Sequence, residues 1–154
     1  MNKSRVVDYI DVEMINLDLK SKSKRDIIKE LLESIKDSKK IVDYDKCLSD
    51  LYAREELGTT EIGKNVALPH AKTEGVTDLL IGVGISKNGI DYNSIDEEDA
   101  KIFFMFLSPS GETQEYLKIL ARISRLIREN DFRTKIINAK TTSELLAVIE
   151  KAEK

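Results

Sequence analysis

Apolar residues in this chain alternate between helical and extended spacing. Residues 12–19, VEMINLDL, alternate apolar and polar positions, which predicts a half-buried strand with Ile15, Leu17 and Leu19 on one face. Ile27, Ile28, Leu31, Leu32 and Ile35 then recur at three-and-four spacing. That is the inner stripe of an amphipathic helix, and Ser23 stands where an N-cap is needed. A polar loop follows at 36–40. A second helix is predicted from about 44 to 57, with Cys47, Leu48, Leu51 and Tyr52 inward and Gly58 as its C-terminal cap.

Beyond the helix-poor stretch 59–71, residues 79–85 read as a buried strand. Asn88-Gly89 marks a tight turn, and Ile90 to Tyr92 a short further strand. Residues 101–107, KIFFMFL, form the strongest strand signal, and their continuous apolar character suits the centre of a sheet covered on both faces. Ser108-Pro109-Ser110-Gly111 breaks it. A long helix is expected from about 112 to 128, with Leu117, Leu120, Ala121, Ile123, Ser124 and Ile127 inward. A short helix follows at 131–139. The last helix starts at Thr141, which with Glu144 has capping-box spacing, and buries Leu145, Leu146, Val148 and Ile149. Helices before, between and after strands predict one α/β layered domain over residues 1–154.

Composition narrows the function classes. The chain has 154 residues, enough for one core without disulfides or a structural metal. Cys47, the single cysteine, lies among acids and reads as a small, partly buried helix residue rather than a reactive thiol. A reducing compartment fits. No segment nears the ~18 apolar residues of a membrane span, and the N-terminus lacks the apolar stretch of a signal peptide. A cytoplasmic location without membrane insertion is expected. Charged residues are 34% of the chain, mixed in sign with a net charge of −3, and no basic stripe suits nucleic acid.

One histidine and one cysteine rule out zinc sites built on several such ligands, and no metal or cofactor is expected. There is no Gly-x-Ser-x-Gly elbow, Walker loop or Gly-x-Gly-x-x-Gly fingerprint. Gly82 and Gly84 read as strand glycines that let a neighbour approach closely. What remains is the segment around His70. Val66-Ala67-Leu68 should enter the core, Pro69 should end the strand ladder, and His70 is then held just outside, where a reactive side chain is reachable. A neutral imidazole is nucleophilic near pH 7, and its bond to phosphorus is labile enough for the group to be passed on. By itself this local pattern leaves a structural or merely exposed histidine open as well.

Ile62-Gly63 followed by Val66-Ala67-Leu68-Pro69-His70-Ala71-Lys72 closely resembles the phosphorylation signature of the enzyme IIA domain, fructose/mannitol class, of the phosphoenolpyruvate-dependent sugar phosphotransferase system. Arg54-Glu55 before Gly58-Thr59-Thr60, residues 82–92, 103–107 and 117–126 resemble the same family, so the likeness spans nearly the whole chain. The resemblance implies a mixed β-sheet flanked by helices. It implies that the histidine phosphocarrier protein donates a phosphoryl group to His70. It further implies that His70 passes the group to a cysteine on an enzyme IIB partner, a separate polypeptide. Arg54 matches an arginine that binds phosphoryl oxygens, and Thr60 a hydroxyl position close to the site. Many relatives carry a second histidine at the start of the long helix. Tyr116 stands there here, either substituting through its hydroxyl or simply packing on the helix. The nitrogen-regulatory branch of the family is the alternative, acting by phosphorylation-dependent protein binding. A binding domain that keeps the fold without the activity is a third reading.

Overall fold

The computed structural model describes residues 5–93, 96–111 and 113–154, with Thr113 described in backbone only. Its α-helices are α1 (Lys24–Ser34), α2 (Tyr44–Glu56), α3 (Thr113–Ile127), α4 (Asn130–Asn138) and α5 (Thr142–Ala152). Its strands are β1 (Glu61–Gly63), β2 (Val66–Ala67), β3 (His70–Lys72), β4 (Leu80–Ile90) and β5 (Ala100–Ser108). Two 3-10 turns, Val6–Tyr9 and Val12–Met14, precede them. No described helix is long and apolar enough to cross a membrane.

The strand with the strongest signal is the centre of a mixed sheet. β5 pairs antiparallel with β4 along one edge and parallel with β2 and β3 along the other. Phe103, Phe104, Met105, Phe106 and Leu107 are fully buried, because helices cover both faces. Each large side chain so removed from water contributes roughly 1.5–3 kcal/mol. On one face Phe103, Met105 and Leu107 meet Leu31, Leu32 and Ile35 of the α1 region and Leu51 of α2. On the other, Phe104 and Phe106 meet Ile119 and Ile123 of α3, Ile136 of α4 and Leu145 and Ile149 of α5.

Helix starts follow their caps. Ser23 accepts from the Asp26 amide, Asp43 from Lys46 and Thr141 from Glu144. Each such cap is worth about 1 kcal/mol. Glu144 closes its box one residue early, accepting from the Lys140 amide at 3.3 Å.

Several expectations are corrected. Residues 12–19 do not form a strand. After the 3-10 turn the chain touches β4 through Asn16, whose amide donates to Val83 O, and through Leu19, whose amide donates to Ile85 O. Asn16 Oδ1 accepts from the Asp18 amide and turns the chain between them. Leu19 therefore enters the α1–α2 core while Ile15 and Leu17 stay with the opposite one. Asn88-Gly89 makes no hairpin. β4 runs through it to Ile90, and the register to β5 slips between Ile85 and Ile90 while Gly89 takes φ +75°. The expected inner face of α3 is rotated. Tyr116, Ile119, Ile123 and Ile127 are buried, whereas Leu117 is 54% exposed and Ala121 also faces outward. The expected start at Glu112 lies outside the described residues. Pro69 interrupts pairing without ending it, since β2 and β3 keep one register along β5 and Phe106 N donates to Pro69 O. The glycine reading holds: a Cβ on Gly84 would lie 2.6 Å from Leu31 Cδ2 and 2.7 Å from Leu19 Cδ1.

Candidate functional site

His70 opens β3, paired in register with Phe106 of β5. Side chains alternate along a strand, so His70 shares the α3 face with Val66 and Leu68, while Ala67 and Ala71 face α1 and α2. The imidazole is half-buried there. Its Nδ1 lies 2.8 Å from Leu68 O. A carbonyl can only accept, so Nδ1 carries the proton and Nε2 of the neutral ring keeps its lone pair. Burial holds the His70 pKa below its ordinary 6.5, and the nearby Arg54 charge lowers it further. The Leu68 bond and Glu55 act in the opposite direction. The ring is thus neutral, single-tautomer and nucleophilic at Nε2 near pH 7.

Arg54 comes from the last turn of α2, where a cation complements the helix dipole. Its Nη1 donates to Gly58 O at 3.1 Å, which lays the side chain back along the loop leading to β1. Its charge acts on both His70 and Tyr116, so three of the four sequence-selected groups share one neighbourhood. Tyr116, in the first part of α3, is 6% exposed. Its ring packs edge-on against Phe106 and stands beside His70, and Lys72 Nζ lies 5.8 Å from its centroid. Burial pushes its hydroxyl pKa up to about 12, so it stays a neutral donor.

Thr60 departs from expectation. Its side chain is buried and Oγ1 donates to Glu55 Oε1 at 2.6 Å, with Tyr92 OH 3.2 Å away. The proton expected to reach a phosphoryl oxygen is committed to a carboxylate. Glu55 is the residue that sequence reasoning left without a role. Its carboxylate accepts from Thr60 N at 2.8 Å, from Thr60 Oγ1, and from Tyr92 OH at 3.0 Å, and it pairs with Lys24 Nζ at 2.8 Å. One signal pointed to it: an acid in the last turn of a helix opposes the dipole and needs compensation elsewhere.

A second buried acid, Glu61, follows Thr60. Oε1 accepts from the Gly63 amide, Oε2 has no hydrogen-bond partner among the described residues, and burial pushes the carboxyl up to about 7. Cys47 is fully buried in α2 and its thiol is pushed up to about 11 by burial and Asp43, an inert setting. No group of three metal-ligating side chains occurs among the described residues. A cavity of about 520 Å³ lined by Leu126, Phe132 and Val148 lies in α3–α5 and includes none of the residues around His70. The chemistry available is therefore that of a half-buried imidazole with an unprotonated Nε2, within the field of the Arg54 charge.

Comparison with known proteins bears on this arrangement. Residues 8–152 match the family model "Phosphoenolpyruvate-dependent sugar phosphotransferase system, EIIA 2". The chain is 33% identical over 152 residues to the fructose-specific EIIA component of Haloferax volcanii, covering 97% of this chain and 99% of that one. It is 29% identical over 150 residues to the fructose-specific EIIABC component of Bacillus subtilis, covering 97% of this chain but only 24% of that longer protein. It is 30% identical over 145 residues to the nitrogen regulatory protein of Bradyrhizobium diazoefficiens, covering 94% of each. Among solved structures, IIA-Ntr from Neisseria meningitidis shares the fold at TM-score 0.86 and 22% identity, over 94% of this chain and 98% of that one. IIA of the Escherichia coli mannitol system, solved in complex with phosphorylated IIB, shares it at TM-score 0.78 and 14% identity, over 92% of this chain and 96% of that one.

Proposed function

The chain belongs to the EIIA 2 family of the phosphoenolpyruvate-dependent sugar phosphotransferase system, and from that premise we propose that His70 is its phosphoryl carrier, loaded at Nε2. The observation that carries the reading is the hydrogen bond from His70 Nδ1–H to Leu68 O, which leaves Nε2 as the free nucleophile.

The step is an in-line displacement. The Nε2 lone pair forms a bond to phosphorus as the nitrogen–phosphorus bond of a phosphohistidine on the histidine phosphocarrier protein breaks, and the donor nitrogen leaves with that electron pair. Nδ1 keeps its proton against Leu68 O throughout. The phosphoryl oxygens need positive charge and donors placed before the reaction, and Arg54 supplies a guanidinium able to hold two of them. Tyr116, whose ring centroid lies 6.0 Å from that of His70, is the neighbouring neutral donor in this reading. Onward transfer to a cysteine thiolate of enzyme IIB breaks the bond at Nε2 and forms a sulfur–phosphorus bond. The E. coli mannitol IIA seen with phosphorylated IIB supports that partner class. Such a relay works on the cytoplasmic side of the membrane, without the sugar touching this domain. A second reading, a nitrogen-branch regulator that binds a protein according to the state of His70, is supported by the Bradyrhizobium relative.

Intact-mass analysis after incubation with phosphoenolpyruvate, enzyme I and the phosphocarrier tests the reading. An acid-labile gain of one phosphoryl group is expected, lost in His70→Ala. Labelling that persists in His70→Ala overturns the assignment.

A further inference from the structure

Antiparallel pairing of β1 with β2 sets Glu61 opposite Ala67. One step outward, Thr60 faces Leu68, and Leu68 N donates to Thr60 O at 3.0 Å. In an antiparallel ladder such a pair exchanges two bonds, so Thr60 N–H would return to Leu68 O. It does not. Thr60 N–H turns to Glu55 Oε2 at 2.8 Å, and Leu68 O instead receives Nδ1–H of His70 at 2.8 Å. One carboxylate has taken the donor that would compete with the histidine for its acceptor.

We propose that Glu55 is a positioning residue for His70, which by capturing the Thr60 amide keeps the Leu68 carbonyl open for Nδ1–H and so fixes both the ring orientation and the tautomer with Nε2 free. Its bearing on phosphoryl transfer rests on the function proposed for His70, while its effect on the ring stands independently of it.

The carboxylate is well built for the task. Its side chain is 8% exposed and it is held from three further directions, by Lys24 Nζ from α1, Thr60 Oγ1 and Tyr92 OH from the segment after β4. Lys24 also sits 4.8 Å from the Tyr92 ring centroid, so the cation is fixed by two contacts. Buried polar hubs with every partner present are stiff, and a missing partner leaves an unpaired group that must find another. Without the Glu55 acceptor, the ladder partner of Thr60 N–H is the Leu68 carbonyl, whose oxygen would then divide its two lone pairs between that amide and His70 and hold the ring less firmly.

Because His70 is the only histidine, the imidazole nitrogens of a 15N-labelled sample report this site alone and need no phosphocarrier. In the wild type, coupling across the hydrogen bond should connect Thr60 N to the Glu55 side-chain carboxyl carbon. Coupling to the Leu68 carbonyl carbon would overturn the proposal. Glu55→Ala should move the nitrogen shifts from one tautomer towards a mixture, and slow labelling about tenfold or more, with the carrier concentration for half-maximal rate unchanged. Glu55→Gln, which restores an uncharged acceptor, should recover most of the tautomer preference. A folded Glu55→Ala protein with wild-type nitrogen shifts would sink the idea. Should Glu55→Ala not fold, Glu55→Gln decides it: coupling from Thr60 N to the side-chain carbonyl carbon at position 55 must accompany the wild-type nitrogen shifts, and loss of that coupling with unchanged shifts overturns the proposal. A wild type that never labels would fail the relay reading and leave these shifts to judge Glu55 separately.

Discussion

The ring of Tyr116 stands 6.0 Å from the ring of His70, tilted by 48° to it. Phe106 anchors both: it pairs in register with His70 on the sheet and meets Tyr116 edge-on at 6.3 Å. The tyrosine is thus fixed beside the imidazole by packing, whatever its hydroxyl does. Tyr116→Phe keeps that packing and removes one neutral donor. It should slow phosphoryl transfer to His70 by about three- to tenfold, the worth of one neutral hydrogen bond, with no loss of thermal stability. Stopped-flow or quenched labelling at saturating carrier measures it. A rate within experimental error of wild type would assign Tyr116 to packing alone.

Arg54 should matter in two separable ways. Its charge lowers the His70 pKa, after the larger effect of burial. Arg54→Gln should therefore raise the His70 pKa, read directly from the single histidine in a nuclear magnetic resonance titration. The same variant should lose about tenfold or more in labelling rate, because the charged bidentate contact proposed for the phosphoryl oxygens can no longer form. In the wild type the labelling rate should hold level above pH 6.5 and fall only on the acid side, since the folded pKa lies below the ordinary value. An acid limb centred above 6.5, or a titration unmoved by Arg54→Gln, would contradict the geometry.

What the sequence made legible follows the strength of its signals. The run 101–107 marks the central strand because it is apolar on both faces, and Ser23 and Thr141 are caps that local chemistry decides alone, whereas the Asp43 cap of α2 emerges only in the structure. Residues 12–19 alternate without pairing along their length, because the chain there bonds β4 only through Asn16 and Leu19. α3 misled because Leu117 and Ala121 are apolar yet exposed, while the polar-tipped Tyr116 is the residue that turns inward. At the site, a motif can mark His70 and Arg54, but the diversion of the Thr60 amide to Glu55 is a three-dimensional competition between acceptors. No spacing rule exposes it.

Gly75 controls how α2, the helix that presents Arg54, seats on the chain. Its carbonyl accepts from Val42 N at 2.8 Å and Asp43 N at 3.2 Å. A Cβ there would come 2.6 Å from Asp43 O and 2.6 Å from Cys47 Sγ. The first contact is backbone and cannot swing away, unlike the leucine side chains that crowd Gly84. Gly75→Ala should destabilise the fold by roughly 1–3 kcal/mol in urea unfolding, as overpacking does. A loss below about 0.5 kcal/mol would mean the start of α2 yields more readily than the hydrogen bonds to Gly75 indicate.

Glu61 predicts a pH dependence of stability with a definite sign. Burial pushes its carboxyl from about 4.5 up to about 7, with Asp96 and Glu98 adding repulsion, while the Gly63 amide works the other way. The folded protein therefore binds the Glu61 proton more tightly than the unfolded chain. Folding takes up a proton between the two values, so this group's contribution falls as pH rises from about 4.5 through 7. His70, whose pKa is lowered, acts in the opposite sense, losing stability as pH drops below 6.5. Comparing wild type with Glu61→Gln cancels the histidine. The glutamine carbonyl can still accept from Gly63 N, and no charge has to be buried. The variant should gain over wild type by on the order of 1–2 kcal/mol at pH 8, an advantage that shrinks towards pH 5. Urea unfolding at several pH values across that window measures it. Parallel stability curves for the two proteins would mean that Glu61 does not change protonation on folding there.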